Sequence, residues 1–176
     1  MSPPGRPTGE YRSAQREGNL IRPPGRPKGE HRSAKREGSQ MSETTMRVLQ
    51  PEGWAAPKGY VNGIAARGTL VFVSGQIGWN AQQQFETDDF VGQARQALAN
   101  VVAILREAGA SPEHITRMTW YVVDKREYVA SSRALGVAYR EVVGRHFPAM
   151  TAVAVAGLIE DRAKVEIEVT AVVPDR

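Results

Sequence analysis

The chain has 176 residues, of which 41% are hydrophobic and 24% charged, as expected for one globular domain of ordinary size. The absence of cysteine excludes disulfides, thiolate metal sites and a cysteine nucleophile, and it favours a cytoplasmic location. No apolar segment approaches the ~20 residues of a membrane helix, and no histidines have metal-ligand spacing. We therefore expect neither a membrane segment nor a metal site.

The formal net charge of +4 is concentrated near the N-terminus, because residues 1–40 hold nine Lys and Arg against four Asp and Glu. Within this segment PPGRPTGEYRSAQREG (3–18) returns as PPGRPKGEHRSAKREG (23–38), rich in proline and poor in apolar residues. Such a segment cannot bury enough apolar surface to fold. We predict a disordered basic tail at residues 1–45 and a folded, nearly neutral domain at 46–176.

Three interpretations of this tail remain open. GRPKG at 25–29 resembles the core of an AT-hook, which lies in the minor groove of A·T-rich DNA. The tail could equally be solvated and without a partner, or translation could begin at Met41 or Met46 so that the tail is not made. The domain itself shows no sign of a surface for nucleic acid.

Along the domain, residues 60–65 and 69–76 have the composition of strands. Between them Ala66-Arg67-Gly68 predicts a tight turn, with Gly68 free to take positive φ, so we expect a hairpin. After a polar loop, Thr87 is the expected N-cap of a helix that ends at Gly109. Its apolar stripe comprises Phe90, Ala94, Ala97, Leu98, Val101, Ile104 and Leu105.

A third strand is expected at 115–123 and a second helix at 126–145, ended by Pro148. The candidate buried positions of that helix are Tyr128, Leu135, Val137, Tyr139, Val142 and Val143. Two more strands follow at 149–156 and 163–173. The order ββαβαββ predicts an α+β fold with two helices on one face of a sheet. The other, half-polar face predicts that another subunit covers it.

The last strand alternates strictly through AKVEIEVTAV, so Glu166 and Glu168 fall on the face opposite Val165 and Ile167. Two neighbouring acids on one face indicate either a solvated surface or the lining of a site. Glu168 could also pair with a basic residue of another subunit.

With this order of elements, four motifs resemble the reactive-intermediate deaminase (RidA/YjgF) family over about residues 50–173: YVNG (60–63), VSGQI (73–77), QARQALANVVAIL (93–105) and KVEIEVTAV (164–172). The resemblance implies a chorismate-mutase-like fold and a homotrimer around a central β-barrel, with small-molecule clefts between subunits. The best-known members hydrolyse reactive enamines and imines, such as 2-aminoacrylate, to keto acids and ammonia, without a cofactor. Older names in the family refer to ribonuclease activity.

The resemblance also implies which residues form the site. Glu166 matches the acid that contacts the water or the leaving amine, and it is the expected catalytic residue. The expected substrate-binding residues are Tyr60, Ser74, Gly75, Trp79, Met150 and Ala152, the last two through backbone groups. In the active deaminases an arginine after Pro-Ala binds the substrate carboxylate through its planar fork. Here that position holds Met150, which has no hydrogen-bond donor.

Two classes of function therefore stay open. One is a cofactor-free imine or enamine hydrolase whose substrate is altered by Met150, for example towards an aminomuconate-type compound. The other is a non-catalytic trimer that binds a small metabolite or a protein. Arg117, Arg133 and Arg162 are candidates for a relocated carboxylate anchor, and each is also explained as a surface charge. Gln93 and Asn100 are expected on the surface of the first helix.

Overall fold

The computed structural model describes residues 46–175, so the expected tail at 1–45 lies outside the described residues. The helices and strands follow the order β1 (Met46–Leu49), β2 (Gly63–Ala66), β3 (Thr69–Ile77), α1 (Phe90–Glu107), β4 (Ile115–Val122), α2 (Lys125–Ala130), α3 (Ser132–Val142), β5 (Ala149–Ala154) and β6 (Val165–Val173). A 3₁₀ turn, Pro112–His114, precedes β4. The α+β class is confirmed, with one strand, β1, that the sequence patterns did not predict.

The main sheet has the strand order β3-β6-β4-β5. Neighbours in it run antiparallel except β4 and β5, which are parallel. Helices α1 and α3 pack on one face, where the alternate residues Val165, Ile167, Val169 and Ala171 of β6 are buried as predicted. Arg95 of α1 forms an ion pair with Glu141 of α3 at the surface of this layer.

Helix α1 confirms its predicted stripe, of which only Ile104 is exposed, at 38%. The predicted N-cap was wrong by two residues. The Asp89 carboxylate accepts the Gly92 amide at 2.7 Å, whereas Thr87 Oγ1 accepts the amide of Asp89 and so precedes the cap. At the other end Gly109 has φ of 65° and ends the helix as expected.

The predicted hairpin of the strands flanking Gly68 was wrong, because β2 pairs with β1 and β3 pairs with β6. Gly68, with φ of 145°, lies so close to β6 that a Cβ atom there would come within 2.0 Å of the Val173 carbonyl oxygen. The turn therefore places the start of β3 beside the end of β6, where Thr69 pairs with Val173.

The predicted second helix is two helices, because Ser131 ends α2 and α3 begins at Ser132. The candidate buried positions Leu135, Tyr139 and Val143 are buried, but Val137 is 42% exposed and was predicted wrongly. Among residues 46–175 no helix combines the length and apolar character needed to cross a membrane.

Candidate functional site

The open face of the sheet carries the two acids of β6. Glu166 pairs in register with Tyr121 of β4, and Glu168 pairs with Thr119. The Tyr121 hydroxyl donates a hydrogen bond to Glu168 Oε1 at 3.1 Å, and this bond is the main reason that the pKa of Tyr121 is raised. Glu168 is thereby committed to a partner in its own chain, whereas Glu166 accepts no hydrogen bond from the residues that the structure describes.

A β-bulge on β3 lies beside Glu166. In the register of β3 with β6, Val73 pairs with Val169 and Gln76 pairs with Ile167. Two residues of β3, Ser74 and Gly75, therefore lie opposite a single residue of β6. A Cβ atom on Gly75 would lie 1.7 Å from Glu166 Oε1 and 2.6 Å from its Cδ. A side chain at position 75 would displace this carboxylate from its present position, so the conformation of Glu166 depends on glycine in the bulge.

The opposite, helix-covered side of the sheet has a cleft of about 530 Å³ at the β5 edge. Tyr60, Met150 and Ala152 line it, since Met150 pairs with buried Met118, and Ala152 with buried Trp120. The other described lining residues are Lys58, Gly59, Trp120, Tyr128, Ser132, Leu135, Gly136, Tyr139, Arg140 and Phe147. Three predicted site residues are therefore brought together, in a largely apolar cavity.

The predicted site residues thus form two groups within one chain. Tyr60, Met150 and Ala152 lie on the helix-covered side, whereas Ser74, Gly75 and Glu166 lie at the open face. Trp79 lies in neither group. It follows β3, its ring packs 6.2 Å from that of Phe85, and its carbonyl accepts the side-chain amide of Asn100 at 2.9 Å.

A second cleft, of about 460 Å³, lies on the open face itself. The described residues that line it are Phe72, Val73, Ser74, Arg117, Thr119, Glu168, Val169 and Thr170. Thr119 Oγ1 is buried there and has no hydrogen-bond partner among residues 46–175. Arg117, one of the predicted alternative anchors, therefore faces a different cavity from Met150.

The other two predicted anchors do not line the Met150 cleft either. The Arg162 guanidinium binds Asp88 Oδ1 at 2.8 Å and lies 5.2 Å from the Phe85 ring centroid. Arg133 is exposed on α3 and is not part of the described lining. Sequence reasoning missed the two cations that do line the cleft, Lys58 and Arg140. The spacing of four residues between Gly136 and Arg140, which places both on one face of the helix, is the signal that could have found Arg140.

The expectation of a surface position was wrong for Gln93, whereas Asn100 is partly exposed but directs its side chain to backbone groups. Gln93 is fully buried: its Nε2 donates to the carbonyls of Thr87 and Arg162, and its Oε1 accepts the Lys164 amide at 2.9 Å. Asn100 Nδ2 donates to the carbonyls of Ile77 and Trp79. Both amides therefore hold loops around the sheet, and Gln93 holds the segment that leads into Glu166.

Histidines and tyrosines near the cleft have structural contacts. His146 Nε2 lies 2.6 Å from the Ile115 carbonyl, and Tyr139 donates to the His146 carbonyl at 2.8 Å. Burial raises the pKa of Tyr139 and that of Tyr128. Among residues 46–175 no three His, Asp or Glu side chains are grouped as metal ligands.

Comparison with known proteins adds the following. Residues 52–173 match the family model described as Endoribonuclease L-PSP. A RutC family protein of Synechocystis sp. is 35% identical over 133 residues, covering 74% of this chain and 98% of the relative. A 2-iminobutanoate/2-iminopropanoate deaminase of Salmonella typhimurium is 37% identical over 113 residues, covering 64% and 86%. The crystal structure of a Rid family protein of unknown function from Yersinia pestis is 29% identical, with a TM-score of 0.63 over 73% of this chain and 99% of that chain.

Proposed function

The chain belongs to the Endoribonuclease L-PSP family, that is, the RidA/YjgF family, and from this membership we propose that it hydrolyses the C=N bond of a reactive imine or enamine without a cofactor. A relative carries the name 2-iminobutanoate/2-iminopropanoate deaminase, and this name supports the proposed reaction class. The observation that carries the proposal is the contact between Gly75 and Glu166, which keeps one carboxylate beside a bulge and without a hydrogen-bond partner among the described residues.

In the proposed reaction Glu166 accepts a proton from water as the water oxygen bonds to the imine carbon and the C=N electron pair moves to nitrogen. Glu166 then delivers that proton to the amine. Glu166 next takes the proton of the new hydroxyl group and passes it to the same nitrogen, so that the C–N bond breaks as the C=O bond forms and ammonia leaves. Water and imine are thus converted to a carbonyl compound and ammonia, so no oxidant or reductant is needed.

The remaining proposed roles are binding roles. The Met150 carbonyl and the Ala152 amide orient the substrate, Tyr60 shapes the cleft wall, and Ser74 and Gly75 form the floor beside Glu166. Trp79 lies outside both clefts of the single chain, so its proposed contact with substrate depends on assembly.

We propose a homotrimer in which neighbouring subunits complete each site. Within one chain the sheet separates Glu166 from Met150, so one protomer cannot present both to the same small molecule. On the open face Phe72 is 75% exposed and Val153 is 41% exposed, which favours burial of this face against another copy.

The proposal that the substrate differs from that of the active deaminases rests on Met150. Its side chain is half-buried and packs against the core, and it offers no donor to a carboxylate. A small imino acid would therefore lack the ion pair that the family resemblance places at this position. We propose a substrate that is larger and more apolar than 2-iminopropanoate.

The test is ammonia release by the full chain from 2-aminoacrylate and 2-iminobutanoate, both generated in situ. We expect Glu166→Gln to lower the rate by about 10²–10⁴-fold, the usual contribution of a positioned acid–base group. Glu107→Gln, an exposed change at the end of α1, is the matched control and should leave the rate unchanged. Equal rates for wild type and Glu166→Gln would contradict the proposed role of Glu166.

A second candidate function is a binding trimer without turnover, and the specific observation that favours it is again Met150. The variant Met150→Arg separates the two candidates. If the wild type is inert and Met150→Arg releases ammonia, the catalytic groups are intact and the natural ligand lacks a carboxylate at this position. If both are inert, the binding function is favoured.

A further inference from the structure

The cleft lined by Met150 has a cationic rim. Lys58 and Arg140 line it, and no Asp or Glu belongs to the described lining. Neither cation has an ion pair or hydrogen-bond partner among residues 46–175. Two unpaired positive charges beside an apolar cavity favour an anionic ligand.

Arg140 is directed along the cleft by its own helix. It lies one turn after Gly136, and side chains of α-helices lean towards the N-terminus. Its Nη1 atom lies 3.5 Å from where a Cβ atom on Gly136 would stand, and Gly136 also lines the cleft. The guanidinium therefore extends over a bare stretch of helix, where its flat fork is available to a planar anion.

The walls of the cleft are aromatic. The Trp120 and Tyr128 rings meet edge to face at 6.4 Å, and Tyr139 stacks on Phe147 at 5.6 Å. Buried Trp120 Nε1 has no hydrogen-bond partner among the described residues, although a buried indole N–H usually has one. The volume of about 530 Å³ falls within the ~300–1,000 Å³ of pockets that hold drug-sized ligands.

We propose that this cleft binds an aromatic 2-imino acid, with Arg140 as the carboxylate anchor in place of the arginine absent at position 150. This assignment rests on the proposed function, because it names the substrate of the same hydrolysis. The ring packs on the aromatic wall beside Met150, the carboxylate binds the Arg140 fork, and Lys58 adds positive charge at the rim. A sulfur side chain at 150 suits such a ring better than it suits a carboxylate.

The binding test uses the stable keto acid that hydrolysis would produce. Titration calorimetry on the full chain compares phenylpyruvate with pyruvate, which lacks the ring, and with 1-phenyl-2-propanone, which lacks the carboxylate. We expect phenylpyruvate to bind at least about 10-fold more tightly than either.

The variants isolate the anchor. Arg140→Gln should weaken phenylpyruvate binding by about 10- to 100-fold and leave 1-phenyl-2-propanone unchanged, as expected for a charge-assisted hydrogen bond. Arg133→Gln removes the same charge from the same helix outside the cleft and should change neither affinity. Arg140→Lys, with circular dichroism, checks that a loss of binding is not a loss of fold.

Two results would overturn the assignment: phenylpyruvate that binds no more tightly than pyruvate, or equal weakening by Arg140→Gln and Arg133→Gln. Kinetics distinguish this failure from failure of the proposed function. If ammonia release from 2-aminoacrylate depends on Glu166 but not on Arg140, the proposed deaminase activity stands and the assignment of Arg140 as the carboxylate anchor fails. If phenylpyruvate binding depends on Arg140 but the phenylalanine-derived imine releases no ammonia, the assignment of the anchor stands and the proposed deaminase activity fails.

Discussion

The two faces of the main sheet are built from the same strands and have opposite characters. On β6, Val165 and Ile167 are fully buried under the helices, whereas the intervening Glu166 is partly exposed on the open face. The helix-covered side ends in an apolar cleft with a cationic rim, and the open side carries acids beside a bulge. One alternating strand therefore supplies both core residues and the acid that we propose as the catalytic group.

The proposed substrate-binding and acid–base groups therefore lie on opposite faces of the sheet within one chain. The cleft has shape and positive charge but no acid among its described lining residues, and the Glu166 face has an acid on an open surface. In the proposed homotrimer, a substrate bound in the cleft of one subunit meets Glu166 of another.

The largest expected effect is at the bulge. Gly75→Ala places a methyl group where Glu166 Oε1 now lies, so the carboxylate must rotate away. We expect a loss of ammonia release as large as that of Glu166→Gln, about 10²–10⁴-fold. Gly157→Ala is the control, because a Cβ atom there meets nothing within 4 Å. A fully active Gly75→Ala protein would show that Glu166 need not hold this position.

The next effect contrasts the two faces through stability. Ile167→Ala empties a fully buried position on the helix side and should cost about 2–5 kcal/mol of unfolding free energy. Thr170→Ala, on the open face of the same strand, should cost at most about 0.5 kcal/mol. Urea unfolding followed by circular dichroism measures both. Comparable losses would mean that the open face is as tightly packed in solution as the helix side.

Features set by local periodicity were predictable from the sequence. The alternation of β6 and the stripe of α1 depend on residues two to four positions apart, so each could be recognised in a short segment. The strand that pairs with β3 could not be predicted in this way. The choice between β2 and β6 depends on the contact of Gly68 with Val173, which lies far along the chain.

The candidate site could be proposed residue by residue from the sequence, but the arrangement of these residues could not be predicted. The family resemblance identified Glu166 and Met150, yet only the strand register shows that they lie on opposite faces. Arg140 was missed because its position in the lining depends on the cleft between α3 and β5, and the sequence alone shows a helical arginine.

A third, intermediate effect concerns Gln93, whose partners Arg162 and Lys164 are 69 and 71 residues away. Gln93→Leu removes the hydrogen bonds of a fully buried amide and leaves the part-buried Lys164 amide without its acceptor, so we expect a loss of about 1–3 kcal/mol in unfolding free energy. Gln82→Leu, on the exposed loop, should be nearly neutral. Because Gln93 holds the start of β6, amide exchange near Glu166 should also quicken in Gln93→Leu alone. If amide exchange near Glu166 is unchanged in Gln93→Leu, the Gln93 side chain does not hold the segment around Glu166 in place.

The smallest expected effect compares one tyrosine from each side. Burial raises the pKa of Tyr139 on the helix side, whereas mainly a hydrogen bond to Glu168 raises that of Tyr121 on the open face. Because the folded-state pKa of Tyr139 lies above the unfolded value of ~10, its neutral hydroxyl stabilises the fold fully below about pH 10 and progressively less above it.

Tyr139→Phe removes the hydrogen bond to the His146 carbonyl and should cost about 1 kcal/mol at neutral pH. It also removes the alkaline loss of up to ~1.4 kcal/mol per pH unit, so wild type and variant should become equally stable near about pH 11. Tyr121→Phe should leave a steeper alkaline decline than Tyr139→Phe, because the buried tyrosine remains. Urea unfolding from pH 7 to 11.5 measures the three curves. Parallel curves for wild type and Tyr139→Phe would show that this hydroxyl ionises as freely in the folded protein as in the unfolded chain, and the cleft wall it forms would then be open to water.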